Sequence, residues 1–409
     1  VADETSSAAG SDERAAATLS RVLAGSTAML LVLTRPLWTG AGLPKVPWFS
    51  WMPRFVEPID ALACAALPVA LTAAAVGLRT RFALTAATAI ALPLVAGDQH
   101  RLQAWMYQFL LLAFVLVMLE PRQALTAARL LTASIYVHSG LSKFDVSFHA
   151  GTGRQFVSVL LDPDQTPGAL VTPLILSMPL GELLIGLAFL QPSTRRIGLV
   201  AATVMHAALV GLLGPWGLNH HGPVLLWNLY FVAQNLILFG QVRTLRTPHS
   251  EIAALRSAFR TPCSAIVWSV VCAAMVLPSV ERWGLWDVWP SWGLYASHDE
   301  RTYVYVTGPG VDELPQSMRA HLLTADEGWR RLDLAAWSLA VRGCPTYPSN
   351  RAMLGLADGL ARRHPHLHWR VVLLGRAGWI SGSRDREVLD GSEAIRARAA
   401  GFALNATGG

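Results

Sequence analysis

The chain has 409 residues, of which 53% are hydrophobic and only 15% charged, whereas soluble domains carry roughly 25% charged residues. With a mean hydropathy of +0.38, this composition excludes an ordinary water-soluble domain, and the wealth of apolar residues excludes a disordered chain. Four cysteines are too few for a disulfide scaffold. The net charge of +6 is scattered between apolar runs rather than gathered into the basic patch of a nucleic-acid binder, so no nucleic-acid partner is expected.

Taken in chain order, residues 1–17 read as a disordered cytoplasmic leader. Asp3, Glu4, Asp12 and Glu13 make it acidic, unlike the basic start of a removable signal peptide, so the first apolar run reads as a retained span. A helix needs about 20 mostly apolar residues to cross a bilayer. Such runs occur at Thr18–Thr34, Ile59–Leu78, Phe82–Ala96, Leu102–Leu119, Ala124–Ser142, Val171–Leu190, Ile197–Leu213, Pro223–Phe239 and Cys263–Val280. The fold class expected is therefore an all-α polytopic membrane bundle of about nine spans over residues 18–280, followed by a small extracytoplasmic α+β domain over 281–409.

Orientation follows from the Lys/Arg bias of short loops. Arg14, Arg79, Arg81, Arg122, Arg195, Arg196, Arg243, Arg246, Arg256 and Arg260 fall in one set of loops. Arg35, Lys45, Arg54, Arg101, Lys143 and Arg154 fall in the other, and the 214–222 loop has neither residue type. The richer set reads as cytoplasmic. With an odd number of spans the C-terminal domain is then outside, in a bacterial cytoplasmic membrane.

After residue 280 the pattern changes. Trp283, Trp286, Trp289 and Trp292 suit a segment leaving the bilayer at headgroup level. Arg301–Thr307 alternates as a strand, with Tyr303 and Tyr305 on one face and Val304 and Val306 on the other. Pro348-Ser349-Asn350 offers a cap for a helix carrying Met353, Leu356, Ala357, Leu360 and Ala361. His368–Gly375 reads as a buried strand.

Ionisable groups inside spans are costly and mark function or partnership. His100, Arg129, His138, Lys143, Glu182, His206 and the pair His220-His221 stand out. Lys143 sits where desolvation favours the neutral amine, which would act as a general base; a snorkelling ammonium is the alternative. Glu182 reads as a structural pair with Arg129 or as a group tuning a buried site. His206, flanked by apolar residues, reads as a core histidine. His100, Lys143 and His220 fall on one predicted face, where they would line a common cavity. His364, His366 and His368 have period-two spacing, but no Cys or carboxylate accompanies them at a recurrent spacing, so no metal is expected. Cys64, Cys263 and Cys272 read as small core residues.

The segment Ser139-Gly140-Leu-Ser-Lys143-Phe-Asp145, the Asp98-Gln-His100 that opens a span, and Glu182 followed by Arg195-Arg196-Ile-Gly198 and His206 together resemble the membrane domain of vitamin K-dependent γ-glutamyl carboxylases and their HTTM relatives. That resemblance covers residues 18–239. It implies a quinol-dependent epoxidase or carboxylase in which Lys143 is the base and His100 the second catalytic group. Asp145, Glu182, His206 and His220 would then line a site for reduced quinone of the menaquinone or vitamin K type. A peptide or protein substrate would be met outside, and lipid and quinone within the membrane. The alternative is a non-enzymatic scaffold, or a lipid- or partner-binding membrane protein, with an external recognition domain.

Overall fold

A computed structural model describes residues 2–40, 42–52, 57–240 and 261–409. Arg54, Arg243, Arg246, Arg256 and Arg260, used above for orientation, lie outside the described residues. The long helices are α1 (Ala2–Leu33), α2 (Glu57–Ala75), α3 (Thr80–Gly97), α4 (Ala104–Met118), α5 (Pro121–Leu141), α6 (Gly168–Leu190), α7 (Arg195–Leu213), α8 (Gly222–Phe239) and α9 (Pro262–Val276). The leader expected to be disordered is helical from Ala2. Its many alanines have high helix propensity.

Among the described residues, seven helices are long and apolar enough to cross a membrane: Gly10–Leu33, Pro58–Ala75, Thr80–Gly97, Gly168–Leu190, Arg195–Leu213, Gly222–Phe239 and Pro262–Trp283. That is fewer than the nine expected, for two physical reasons. The α4 helix is apolar but has only 15 residues, about 22 Å at 1.5 Å per residue, short of the roughly 30 Å hydrocarbon core. The α5 helix is long enough, but it carries Arg122, Arg129 and His138 and most of its residues are buried against other protein. Leu62 and Val69 on α2, Phe82 on α3, and Ile197, Val200 and Val204 on α7 are all exposed. Water would not tolerate so many exposed aliphatic side chains on adjacent turns; lipid does. The chain is a multi-pass helical membrane protein. Cys263 and Cys272 are exposed rather than in the core, because they lie on such faces.

The chain divides into two compact units. The first comprises Val1–Leu30, Leu67–Ala89 and Ala104–Ser297. Within it α5 and α6 cross tightly. A Cβ added to Gly140 on α5 would lie 2.7 Å from the Pro179 carbonyl oxygen, and one added to Gly186 on α6 would lie 2.9 Å from that of Ala133. Only glycine lets the two backbones approach so closely, the usual device of helix pairs in membranes.

The second unit comprises Leu31–Ala66, Ile90–Gln103 and His298–Gly409. It holds a five-stranded antiparallel sheet in the order β2-β3-β1-β4-β5, formed by β1 (Arg301–Thr307), β2 (Leu322–Thr324), β3 (Arg330–Leu332), β4 (His368–Leu374) and β5 (Arg386–Asp390). The central strand β1 is where the alternation placed it. Val304 and Val306 point into the core opposite Val371 and Trp369. Helices α10 (Leu334–Arg342), α11 (Asn350–Arg363) and α12 (Gly391–Ala400) complete this unit. The Ser349 side chain caps α11 by accepting from the Ala352 amide. Leu43 and Val46 belong to the same apolar core as the sheet.

Replacing Gly140 or Gly186 with alanine is expected to lower stability by about 1–3 kcal/mol through overpacking. Alanine at Gly181, whose added Cβ meets nothing within 4 Å, should be near neutral. Thermal unfolding of the purified variants in detergent compares them.

Candidate functional site

The close crossing of α5 and α6 sets the centre of the first unit. Lys143 lies two residues beyond the end of α5, and Glu182 lies mid-way along α6. The Lys143 Nζ donates to Glu182 Oε2 at 2.7 Å, to the Ser139 Oγ at 2.7 Å and to the Ser139 carbonyl at 2.9 Å. Lys143 is 4% exposed and Glu182 16%. An ammonium has three N–H bonds and no acceptor capacity; these contacts use all three. The geometry is that of a buried ion pair, with no hydrogen-bonding position of the nitrogen left over for a substrate. The carboxylate that sequence reading set against Arg129 is thus paired with Lys143, and Arg129 Nε donates to the Leu238 carbonyl.

Asp145 holds the turn that follows. One carboxylate oxygen caps the short helix Val146–Ala150 by accepting from the Phe148 amide. The other pairs with Arg282, which also reaches the Ser142 carbonyl. This carboxylate therefore fixes the exit of the chain from α5.

His206 belongs to a separate polar chain across α5, α7 and α8. The Asn228 Nδ2 donates to the Val224 carbonyl, so its Oδ1 accepts from His206 Nδ1 at 2.8 Å. His206 Nε2 is then an acceptor, and the Tyr136 hydroxyl donates to it at 2.6 Å. The same hydroxyl accepts from Asn235 Nδ2. Nearby, the Trp227 indole donates to Gln108, Gln108 to Gln234, and Gln234 to the Thr132 hydroxyl. Each donor on this line finds an acceptor on the next side chain, while the Asn235 Oδ1 is left buried without a partner. Sequence reading singled out His206 but missed Tyr136, Asn228, Gln234 and Asn235; polar residues recurring at helical spacing inside apolar runs were the available signal. His220 lies in the loop before α8, 3.3 Å from the Tyr295 hydroxyl through Nδ1, and burial lowers its pKa.

His100 belongs to the second unit. Asp98 caps the turn Gln99–Arg101 by accepting from the His100 amide, and also from that of Val46. The His100 ring is fully buried, and its Nδ1 accepts from the Tyr347 amide at 3.0 Å. Burial pushes its pKa down to about 4. Beside it, Asp60 holds Arg101 through two contacts of 2.7 Å and Lys45 at 2.8 Å. Asp60 opens a span and Arg101 follows one; an acid and a base at such places carry a pairing signal, which the loop-charge count absorbed instead.

The three histidines near the C-terminal sheet do not converge. Only His368 is on a strand, where it contacts Asp390; His364 ends α11, and its ring lies 6.2 Å from that of His366. Among the described residues no group of three or more His, Cys, Asp or Glu is arranged to hold a metal.

Residues 121–216 match the family described as methylamine utilisation protein MauE. No curated protein and no solved structure matches the chain. The matched stretch covers less than a quarter of the chain and runs from α5 to just beyond α7, so it holds Lys143, Asp145, Glu182 and His206. This finding overturns the resemblance to HTTM proteins and vitamin K-dependent carboxylases, since the stretch that carried most of it matches another family and no other family matches. The structure supplies the physical reason. Gly140 serves helix packing, Asp145 caps a helix, and Arg195 donates to the Phe189 carbonyl. Short patterns built from such structural roles recur in unrelated membrane helices.

Lys143→Ala should destabilise the protein by about 3–5 kcal/mol, the cost of stranding a buried partner. The double change Lys143→Met with Glu182→Leu should recover most of that loss, as a double-mutant cycle of unfolding midpoints would show. A histidine whose folded pKa is depressed binds fewer protons in the folded state, so its contribution is complete above pH 6.5 and is lost as pH falls from 6.5 towards 4. Stability should decline over that window with a His100 contribution of up to about 1.4 kcal/mol per pH unit. The decline should be shallower in His100→Asn.

Proposed function

We propose that the chain is a membrane accessory protein: a non-enzymatic, multi-pass scaffold whose C-terminal α+β domain binds a protein partner. The observation that carries this reading is the saturation of Lys143. A base must offer a lone pair within hydrogen-bond reach of the proton it removes, and here all three ammonium N–H bonds are engaged with Glu182 and Ser139. The polar residues of the matched stretch hold helices to one another, which is the work of a scaffold. The family description ties MauE proteins to methylamine utilisation; for this chain it supports a role in assembling or maintaining other membrane-associated components. Fold likeness alone leaves the partner unnamed.

The surface proposed for that partner is the sheet face carrying Tyr303, Tyr305 and Arg331, opposite to Val304 and Val306. The Arg331 guanidinium stacks over Tyr303 at 5.5 Å. Aromatic and arginine side chains together are the usual anchors of protein interfaces. The loop-charge bias supports a cytoplasmic N-terminus and an extracytoplasmic sheet domain in a bacterial cytoplasmic membrane.

Two measurements test the proposal together. Purified protein supplied with reduced menaquinone and oxygen should show no Lys143-dependent turnover when wild type is compared with Lys143→Ala. A photo-crosslinker in place of Tyr305, in cells, should yield one adduct of discrete mass that Arg331→Glu abolishes. Lys143-dependent quinone epoxide would overturn the scaffold reading, and the absence of any adduct would overturn the partner surface.

A further inference from the structure

Several side chains of the second unit carry buried polar atoms without a partner, Trp48, Arg101, Trp337 and Arg370 among them. Arg342 and His100 stand out because one is a guanidinium with no carboxylate in contact and the other an imidazole beside it. Arg342 ends α10 and is 3% exposed. Its Nη2 reaches the Leu43 carbonyl at 3.3 Å, but Nε and Nη1 are buried and meet no acceptor. Among the described residues it has no ion-pair partner. His100 is fully buried, and because Nδ1 accepts from the Tyr347 amide, the ring proton sits on Nε2. That N–H also meets no acceptor.

The two groups are held in one neighbourhood. Gln103 Nε2 donates both to the His100 carbonyl at 2.9 Å and to the Pro345 carbonyl at 3.1 Å. Pro345 is three residues beyond Arg342, past the left-handed turn at Gly343. The guanidinium is close enough to disfavour protonation of the His100 ring. Asp98 acts on both groups, but its Oδ1 is committed to the amides of Val46 and His100. The buried Cys344 thiol is pushed up to about 12 by burial, so it stays neutral and supplies no anion. Arg101 shows the contrast in charge: its Nε is likewise buried without an acceptor, but it has the Asp60 carboxylate on both Nη atoms. An unpaired guanidinium costs several kcal/mol to bury, and the fold supplies Arg342 with no counter-charge in contact.

We infer that Nε and Nη1 of Arg342 and the Nε2–H of His100 form a binding site for a small, singly charged, planar oxyanion of the carboxylate class. The charge follows from two guanidinium groups, Arg342 and Arg351, set against the one Asp98 carboxylate among the groups that act on the His100 ring. The class follows from the donors: a planar guanidinium matches a planar carboxylate, and the imidazole N–H is one further donor, without charge of its own. The site is independent of the scaffold reading, since it uses no residue of the matched stretch and none of the partner surface.

The test uses the full chain in lipid nanodiscs with acetate as the probe and chloride at equal ionic strength as the reference. Acetate should raise the unfolding midpoint of wild type by about 2–4 °C, the size of shift produced by a ligand well above its dissociation constant. Saturation-transfer NMR should show acetate contacting the protein and being displaced by formate. Arg342→Met should abolish the shift and weaken acetate binding at least tenfold, and Arg342→Lys, which keeps the charge but loses the fork, should weaken it less. If Arg342→Met does not fold, the saturation-transfer result on wild type together with Arg342→Lys decides the matter. No response to acetate beyond that to chloride in wild type overturns the inference, as does an unchanged response in Arg342→Met. A response to phosphate as strong as that to acetate overturns the carboxylate class.

Discussion

The first unit depends on how closely α5 and α6 approach. Two glycines remove the side chains that would hold the backbones apart, and the approach brings Lys143 against Glu182 in a largely dehydrated place. A lone charge there would be prohibitive; a pair with three hydrogen bonds is tolerable. Once Lys143 is fixed, the chain beyond it must turn sharply, and Asp145 holds that turn through a helix cap and through Arg282. One steric permission thus determines the position of three charged side chains.

The second unit solves a similar problem differently. Asp60 neutralises both Arg101 and Lys45, which joins the start of one span to the turn after another. Gln99 adds direct links by donating to the carbonyls of Pro47 and Asn405. The sheet core also includes Leu43 and Val46, so residues far apart in sequence close the same apolar layer.

Much of this was legible in the residues. The alternation at Arg301–Thr307 and the Ser349 cap gave their elements at the observed positions, because a strand buried on one face and a helix start both leave local signatures. Apolar runs located the long helices. They did not separate spanning helices from α4, whose helix is shorter than the apolar run that contains it, or from α5, since hydropathy does not reveal whether a helix faces lipid or protein. The candidate site was half legible. Lys143, Glu182 and His206 were conspicuous as charges or imidazoles in apolar surroundings. What they contact was not, because Gly140, Gly186, Tyr136 and Asn235 acquire their roles only when separate helices meet. The wrong family followed from the same blind spot: the residues of the pattern are explained by packing, capping and pairing.

The sheet order has a consequence for how the protein is made. Its central strand β1 precedes its neighbour β4 by some sixty residues, and the layer beneath it draws on residues 43 and 46. Those early residues emerge from the ribosome long before the strands that cover them, with the long helices from α2 to α9 made in the interval. Loops this long are slow to close, and transiently uncovered apolar segments are prone to misassembly. The second unit therefore completes itself only after β4 and β5 have been made, and its early segments must stay out of wrong pairings until then.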